Sequence, residues 1–424
     1  MDKGKSTELF IENAASRGRK PGLSRVRYLA EKLGDPQDSL RIIHVSGTNG
    51  KGSFGAMLTS ILTEAGLRTG WFSSPALTGV TDSFRIDGKE ADMGVLAEVI
   101  ADIIPIDEGM SDKPTQFEML TAAAFELFRR EKCDIAVIEC GLGGDLDSTN
   151  IITSPLLSVI TNVCPDHTDV LGKTTAEIAS HKAGIIKQER PVLFGGTDDA
   201  ALAVIKKAAD DCGSELFTVD YDRLKVVSET ISGTVIDFGG YGRMTLSLLG
   251  AYQPYNAAVV LTAVEVLGRY GVSISPKAVA DGLSHAQWHG RFEVLRRNPY
   301  IIYDGAHNPD GVALAAESIR KYFGGRKVVL FMCVMADKDR RSYADVLGDI
   351  AELAVTASPD IPRALDSRVL AEEFEKKGIP SRSFDSFGEG VQYAVSYAKK
   401  LGVPLVALGT LYMYPYFIGE LNEL

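Results

Sequence analysis

The chain has 424 residues, of which 45% are hydrophobic and 24% charged, and its formal net charge is −11 at neutral pH. This length exceeds one ordinary core, so we expect a soluble protein of at least two domains. The acidic balance argues against a nucleic-acid partner, which would need a basic face. The densest apolar run, VVLFMCVMA at 328–336, is too short to cross a bilayer. Five scattered cysteines and an N-terminus unlike a signal peptide lead us to expect a cytoplasmic protein.

The predicted elements alternate between strands and helices from the first strand candidate, RIIHV at 41–45. A glycine-rich turn and a helix with one apolar stripe follow this strand. The alternation then continues through predicted strands at 68–74, 134–140 and 156–163 and predicted helices at 117–132, 174–187 and 199–211. This order predicts a mostly parallel α/β sheet that is covered on both faces.

The pattern changes at 224–249, where short antiparallel strands are predicted, and two helices follow over 254–270 and 275–284. We interpret AQWHGR (286–291) as a linker, because the α/β alternation restarts beyond it. The sequence therefore predicts a larger domain over 1–287 and a smaller α/β domain over 288–424.

The turn after the first strand is HVSGTNGKGS (44–53), which departs from the phosphate-loop signature G-x-x-x-x-G-K-[ST]. Val45 stands where the first glycine belongs, and Gly52 separates Lys51 from Ser53. The order of strand, glycine loop and helix is nevertheless the context that a phosphate loop requires. A turn that is merely glycine-rich is the simplest alternative, and a dinucleotide loop suits a central lysine less well.

In the phosphate-loop interpretation, the N–H groups from Thr48 to Ser53 face one concavity at the N-terminus of a helix, where anions are favoured. Glycines keep side chains out of this concavity, and Lys51 reaches the terminal phosphates. The predicted nucleotide-binding residues are Gly47, Thr48, Asn49, Gly50, Lys51, Gly52 and Ser53.

Further blocks accompany this loop in order along the chain. They are FEMLTAAAF (117–125), IECGLGGDLDSTN (138–150), DHTDVLGKT (166–174), HKAGIIK (181–187), GAYQPYNAAVVL (250–261), WHGRFE (288–293), YDGAHNPDG (303–311), VMADKD (334–339) and LGTLYM (408–413). Together with SGTNGKGS they resemble the folylpolyglutamate synthase/dihydrofolate synthase family of the Mur ligase superfamily, over nearly the whole chain.

This resemblance implies a P-loop-type three-layer α/β ATPase domain followed by a smaller Rossmann-like domain. It implies an ATP-dependent amide ligase in which a folate carboxylate attacks the γ-phosphate, and L-glutamate captures the acyl phosphate. The substrate is then tetrahydrofolate with its growing glutamate tail, dihydropteroate, or both. The expected partners are ATP, L-glutamate and the folate or dihydropteroate, and we expect a monomer.

The resemblance also implies two Mg²⁺ ions, with Ser74, Glu139 and His167 as protein ligands. All three lie at or beyond the ends of predicted strands, where ligands bind in open α/β sheets. Taken alone, Glu139 would be interpreted as a solvated strand end and His167 as a hydrogen-bonded loop histidine. By the same resemblance, Lys182 is a catalytic residue and a candidate for carbamylation, which turns a cation into an anion.

The C-terminal blocks imply further contacts to ATP, which we expect between the domains. Arg291 would hold phosphate as a planar, permanently charged fork. Asp304 would accept hydrogen bonds from the ribose, Asn256 would bind adenine, and His307 would position the phosphoryl group or the glutamate. The ordinary alternatives are a surface arginine, a helix-capping aspartate and a packing asparagine.

On the folate side, the resemblance implies substrate-binding residues in two blocks. They are Phe117, Glu118, Thr121, Leu146, Asp147 and Ser148. For Phe117 the alternative is plain packing in the core.

Three departures from the family pattern cluster on this side. Ala76 replaces a histidine, Asp145 replaces the common arginine of G-G-R-L-D, and His181 replaces the glutamate before Lys182. Only Arg85 supplies positive charge near Ala76. Because the nucleotide residues are intact, we expect a working ATP site with an altered preference for folate or acceptor.

Two other functions stay open. One is a Mur-type ligase that joins an amino acid to another carboxylate, and the other is a nucleotide-binding regulator without catalysis. The spelling GKGS and the block DHTDVLG favour the folate branch. The presence of Glu139, His167 and Lys182 favours an enzyme, since a regulator would tolerate their loss.

Overall fold

The computed structural model describes residues 3–338, 341–361 and 363–424. The chain forms two compact units that are not simple consecutive segments. The first contains the residues up to 225 with 238–244 and 255–286, and the second contains 226–237, 245–254 and 287–424. The domain boundary that the sequence predicts between residues 287 and 288 remains a proposal.

The first unit is built on an eight-stranded sheet. Its strands are β1 (Ile42–Ser46), β2 (Thr69–Phe72), β3 (Phe84–Ile86), β4 (Lys89–Glu90), β5 (Ile135–Glu139), β6 (Leu157–Ile160), β7 (Val192–Phe194) and β8 (Leu216–Thr218). They lie in the order β4-β3-β2-β5-β1-β6-β7-β8. At one edge, β3 pairs antiparallel with both β2 and β4, whereas all other neighbours are parallel. The central strands β1 and β5 are buried throughout, as expected of a sheet covered on both faces.

Helices cover this sheet. They are α1 (Lys3–Ala15), α2 (Ser24–Lys32), α3 (Lys51–Glu64), α4 (Met93–Gly109), α5 (Gln116–Arg130), α6 (Thr168–Leu171), α7 (Thr175–Ala183), α8 (Asp199–Asp211), α9 (Gln253–Arg269) and α10 (Pro276–His285). The apolar residues Phe54, Met57, Leu58, Ile61 and Leu62 of α3 are all fully buried, as predicted, but α3 is buried at every position over 52–59 and not along one stripe alone. Helix α10 packs tightly on α3, because a β-carbon at Gly282 would approach Ile61 Cα to 2.5 Å.

Along the chain between α8 and α9 lies a small sheet. Its strands are β9 (Leu224–Thr230), β10 (Gly233–Phe238) and β11 (Arg243–Leu246), in the order β11-β10-β9. Its place agrees with the antiparallel strands predicted at 224–249.

The second unit contains a six-stranded sheet. Its strands are β12 (Glu293–Arg297), β13 (Tyr300–Asp304), β14 (Val328–Met332), β15 (Ala351–Thr356), β16 (Ser381–Ser383) and β17 (Leu405–Leu408), in the order β12-β13-β17-β14-β15-β16. Only β12 pairs antiparallel to its neighbour. Its helices are α11 (Pro309–Phe323), α12 (Arg341–Leu347), α13 (Ser367–Glu375), α14 (Phe387–Leu401) and α15 (Tyr414–Asn422).

The predicted fold class is confirmed: a larger α/β unit with a mainly parallel sheet, and a smaller α/β unit whose six-stranded sheet is formed by later residues of the chain. All five cysteines carry free thiols. None of the helices in the described ranges combines the length and the apolar character needed to cross a bilayer.

Candidate functional site

The predicted site residues of the first unit lie at one edge of its sheet. Strands β2, β5, β1 and β6 are consecutive parallel neighbours, so their carboxyl ends meet at the same edge. The glycine loop follows β1, Glu139 ends β5, and Ser74 lies two residues beyond β2. His167 follows β6 and precedes α6. The topology thus gathers residues that are widely separated in the chain.

The glycine loop needs its glycines for two different reasons. Gly50 precedes α3 with a φ of 85°, in the left-handed region that favours glycine. Gly47 has a φ of 150°, and a β-carbon there would approach Thr161 Oγ1 to 1.9 Å. Asn256 also packs on the loop, since its Oδ1 would lie 2.7 Å from a β-carbon at Gly50. Asn256 therefore lies against the loop, and its predicted role toward adenine stays a prediction.

The segment after β6 supports the loop, which the sequence did not indicate. The N–H of Thr48 donates to the carbonyl of Asn162 (3.1 Å), and that of Asn49 donates to Asn162 Oδ1 (2.8 Å). Thr161 Oγ1 donates to the carbonyl of Asn49 (2.7 Å). The expectation that all N–H groups from Thr48 to Ser53 face one concavity is therefore wrong for Thr48 and Asn49. The candidate phosphate donors are confined to the N-terminus of α3.

The ammonium group of Lys51 is held above the loop. Its Nζ donates to the carbonyls of Gly47 (3.0 Å) and Thr48 (3.2 Å), and it lies 4.0 Å from Glu139 Oε1. The Lys51 side chain is 18% exposed and the Glu139 side chain 6% exposed. A partly desolvated cation at a helix N-terminus is suited to bind a polyphosphate.

Lys182 contributes a second amine to this region from the last turn of α7. It is 2% exposed, and its pKa is lowered to about 7, first by burial and then by the charge of Lys51. Asp166, beside His167, acts in the opposite direction on this pKa. A lysine with this pKa is largely neutral above pH 7 and is therefore nucleophilic.

The predicted metal ligands differ in their surroundings. Glu139 is buried, whereas the imidazole of His167 is 39% exposed and its Nε2 lies 4.0 Å from Asp166 Oδ1. Among the described residues, no three His, Cys, Asp or Glu side chains are grouped so as to hold a metal ion. The predicted ligand set has only two residues of these types, Glu139 and His167, and Ser74 is its third member. The absence of such a group from the described part of the chain therefore does not bear on this set, which stays a prediction.

On the predicted folate side, Phe117 and Leu146 are accessible. The Phe117 ring is half-buried, stacks on Phe72 at 5.8 Å between centroids, and packs over Gly141, where a β-carbon would approach it to 2.7 Å. Leu146 is 51% exposed, which is unusual for a leucine. These two side chains can offer apolar contact to a planar ligand.

Glu118, by contrast, serves the structure of the unit. Its Oε2 accepts the N–H of Thr115 (2.7 Å), which completes a capping box at the start of α5. Both carboxylate oxygens also accept Arg25 Nε (3.0 and 3.1 Å), and this bond raises the pKa of Arg25. Its predicted role in substrate binding remains a prediction, but the geometry favours a structural role.

The other predicted folate residues are also engaged internally. Thr121 is fully buried and donates to the carbonyl of Phe117 (2.7 Å). Asp147 accepts from Leu142 N–H (2.8 Å) and from Thr149 Oγ1 (2.6 Å), and burial raises its pKa. Ser148 is 9% exposed. These side chains shape the loop more readily than they contact a ligand.

In the stretch that follows Ser74, Arg85 forms an ion pair with Asp82. Asp82 is 3% exposed, accepts the N–H of Leu77 (2.7 Å) and pairs with Arg85. Ala76 is exposed. The only sequence-predicted cation of this stretch is therefore neutralised by a neighbour three residues away.

In the second unit, Asp304 ends β13 and is 2% exposed. Its oxygens accept from Tyr252 OH (2.8 Å), Phe292 N–H (3.0 Å) and Ala306 N–H (2.8 Å). Burial raises its pKa, and the charge of Arg291 opposes this effect. Its carboxylate is thus bonded within the unit, and its predicted role in ribose binding stays a prediction.

The other predicted site residues of this unit, Arg291 and His307, lie close to Asp304. Arg291 Nη1 would lie 2.5 Å from a β-carbon at Gly305. His307 is half-buried, and its Nδ1 lies 2.9 Å from the carbonyl of Gly305. The family block VMADKD ends at Asp339, which lies outside the described residues.

Comparison with known proteins identifies the family of the chain. The Mur ligase middle domain family matches residues 45–264, and the Mur ligase glutamate ligase domain family matches residues 290–407. The chain is 33% identical to the dihydrofolate synthase/folylpolyglutamate synthase of Bacillus subtilis, over 98% of this chain and 97% of that protein.

Solved structures are similar over nearly the whole chain. Mycobacterium tuberculosis folylpolyglutamate synthase complexed with ADP superposes with a TM-score of 0.91 at 28% identity, covering 98% of each chain. Escherichia coli FolC in complex with DHPP and ADP superposes with a TM-score of 0.87 at 27% identity, covering 99% of this chain and 98% of that one.

Proposed function

The chain belongs to the folylpolyglutamate synthase/dihydrofolate synthase family of Mur ligases, and we propose that it uses ATP to join L-glutamate to a folate-type carboxylate. One observation carries this proposal: Lys51 of the glycine loop lies 4.0 Å from the buried carboxylate of Glu139. A phosphate-binding cation and a metal-binding carboxylate are the pair that phosphoryl transfer requires.

We propose that the β- and γ-phosphates of ATP bind at the N-terminus of α3. Two relatives of similar fold have been solved with ADP, which supports a nucleotide in this family. The positive end of the helix and the ammonium of Lys51 would then neutralise the phosphate oxygens. Asn256, which packs on Gly50, would contact the nucleotide from the side of α9.

The reaction follows in two balanced steps. A carboxylate oxygen of the folate-type substrate attacks the γ-phosphorus, the bond to the bridging oxygen breaks, and ADP leaves. The amine nitrogen of L-glutamate then attacks the acyl carbon and loses a proton, and inorganic phosphate leaves as the amide forms. Lys51 would stabilise the charge of the phosphoryl group in the first step.

Mg²⁺ fits the oxygen-rich part of this site. The carboxylate of Glu139 is buried at the strand end and Ser74 follows the neighbouring strand, so both can offer oxygen ligands. His167 would complete the predicted set. When bound with ATP, Mg²⁺ would neutralise phosphate charge and help to align the γ-phosphate for attack.

Carbamylation of Lys182 is also part of the proposal. Because its pKa is lowered to about 7, the amine is largely neutral at the pH where carbon dioxide reacts with amines. The carbamate would carry a negative charge beside Lys51, which removes the repulsion between two cations. This would supply a second anionic group for a magnesium ion.

The remaining assignments are proposals of the same kind. Phe117 and Leu146 would contact the pterin-bearing substrate, while Arg291, Asp304 and His307 keep their predicted roles toward ATP and glutamate. The monomeric state and the cytoplasmic location expected from the sequence likewise stay predictions.

Mass spectrometry of the products tests the proposal. Dihydropteroate and tetrahydrofolate would each be offered separately with ATP, Mg²⁺ and L-glutamate. Addition of glutamate to either one supports the proposal and also distinguishes dihydrofolate synthesis from extension of the tail. Product formation from another carboxylate, but from neither dihydropteroate nor tetrahydrofolate, would favour a Mur-type ligase with a different substrate.

A further inference from the structure

Two of the residues that depart from the family pattern contact each other. Asp145 Oδ2 lies 2.8 Å from His181 Nδ1, although the two residues are 36 positions apart in the chain. Because a carboxylate only accepts, Nδ1 carries the proton and donates it. The Asp145 side chain is 39% exposed and the His181 side chain 35% exposed. A contact this accessible adds little to global stability.

The backbone around this pair is packed closely. The N–H of Asp145 donates to the carbonyl of His181 (2.9 Å). A β-carbon at Gly144 would approach the carbonyl of Lys182 to 2.8 Å, and one at Gly184 would approach Asp145 Cα to 2.5 Å. The loop at 143–147 therefore lies directly against the last turn of α7, so a shift of one backbone segment requires a shift of the other.

Each member of the pair is adjacent to a residue with a proposed function. Asp145 precedes the exposed Leu146, whose N–H donates to Asp145 Oδ1 (2.8 Å). His181 precedes the buried Lys182. The pair thus joins the exposed tip of the loop to the helical turn that carries the buried amine.

We propose that Asp145 and His181 form a positioning pair that fixes the loop tip at Leu146 relative to Lys182. By fixing this loop, the pair sets the affinity for the pterin-bearing carboxylate substrate. The hydrogen bonds of the two side chains go to each other and to Leu146 N–H, and none reaches residues 47–53, so we expect a smaller effect on ATP affinity than on affinity for the pterin substrate. This inference rests on the proposed function.

The test compares His181→Ala, Asp145→Ala, the double variant and the exchanged variant Asp145→His/His181→Asp. Coupling in the usual range for contacting residues predicts that each single change raises KM for the pterin substrate about five- to tenfold. KM for ATP should stay within about twofold, and kcat should fall less than KM rises. The double variant should be no worse than the worse single variant, and the exchange should recover part of the loss.

Hydrogen exchange of the amides at 145–147 supplies a second readout that needs no substrate. Both single variants should exchange faster there than the wild type, while α3 keeps its protection. The melting temperature should change by no more than about 2 °C, because the pair is partly exposed.

Several results would overturn the inference. They are additive effects of the two changes, a rise in KM for ATP equal to that for the pterin substrate, unchanged exchange in His181→Ala, or loss of folding in that variant. If the wild type acts on neither dihydropteroate nor tetrahydrofolate, the proposed function fails, and the exchange data still decide whether the pair holds the loop.

Discussion

The ammonium nitrogen of Lys51 lies 4.0 Å from Oε1 of Glu139, although one residue begins α3 and the other ends β5. Strands β1 and β5 are parallel neighbours, with Val45 opposite Glu139, so the loop after β1 passes beside this carboxylate. The inserted Gly52 moves Ser53 into the helix, where it is 2% exposed. Glu139 is similarly buried at 4% exposed, and we propose the carboxylate as the metal ligand because it is anionic, whereas the hydroxyl of Ser53 is neutral.

The first prediction concerns these three side chains. Lys51→Ala should abolish ATP-dependent product formation, because Lys51 is the only lysine or arginine of the loop HVSGTNGKGS. Glu139→Ala should lower kcat by about 100-fold or more, as loss of a charge-stabilising group does. Ser53→Ala should lower it less than Glu139→Ala. Steady-state kinetics with purified variants measures the order, and the reverse order of Ser53→Ala and Glu139→Ala would refute the assignment.

The second prediction separates two roles of Glu118. If it is structural, Glu118→Ala leaves the buried Arg25 with Asp112 as its remaining acidic partner and removes the capping box, so the free energy of unfolding should fall by about 2–4 kcal/mol. Glu118→Gln should cost less, because an amide oxygen can still accept the N–H of Thr115. Urea denaturation measures both. Unchanged stability with a higher KM for folate would instead favour the substrate-binding role.

The third prediction follows from the lowered pKa of Lys182. Its pKa is 10.5 in the unfolded chain and about 7 in the folded chain, so the unfolded state binds more protons between these values. Stability contributed by this group therefore rises with pH over this window and is lowest below pH 7. Lys182→Met should be more stable than the wild type at pH 6.

That advantage should shrink by roughly 3 kcal/mol between about pH 7 and 9.5, at 1.36 kcal/mol per unit. Urea denaturation in buffer free of carbon dioxide measures the difference. Lys207→Met is the control, because Asp211 raises the pKa of Lys207 and no such trend is expected. A stability difference that does not vary with pH would show that the burial of Lys182 carries no charge penalty.

The fourth prediction concerns carbamylation. At about pH 8 the wild type in ¹³C-bicarbonate should show a carbamate resonance that is missing from Lys182→Met, since a lysine with an ordinary pKa is almost fully protonated there. The N-terminal amine reacts in both proteins and serves as an internal reference. Identical spectra of the two proteins would exclude the carbamate.

The fold was predictable wherever apolar residues recur with a clear period. Strand β5 and helix α5 lie within about two residues of the predicted bounds, because IAVI is continuously apolar and α5 is amphipathic. The region from β3 to α4 was not predicted. Strands β3 and β4 are only three and two residues long, and α4 contains Pro105, so neither presents a clear periodic signal.

The positions of the site residues in the chain could be predicted from the sequence, whereas their contacts could not. Lys51 and Glu139 could be placed at the sheet edge, because each stands at the end of a recognisable strand or loop. The partners of Glu118 and Asp304 could not, because Arg25 is 93 residues from Glu118 and Tyr252 is 52 residues from Asp304. Such pairings depend on tertiary packing, for which a single sequence carries no signal.

Release of inorganic phosphate by the purified protein tests the central claim most directly. The assay contains ATP, Mg²⁺, L-glutamate and either dihydropteroate or tetrahydrofolate, and each component is omitted in turn, with Lys51→Ala as the matched control. The account predicts release only when all components are present with at least one of the two pterins, and none from Lys51→Ala. Release that proceeds equally well without any folate would contradict it.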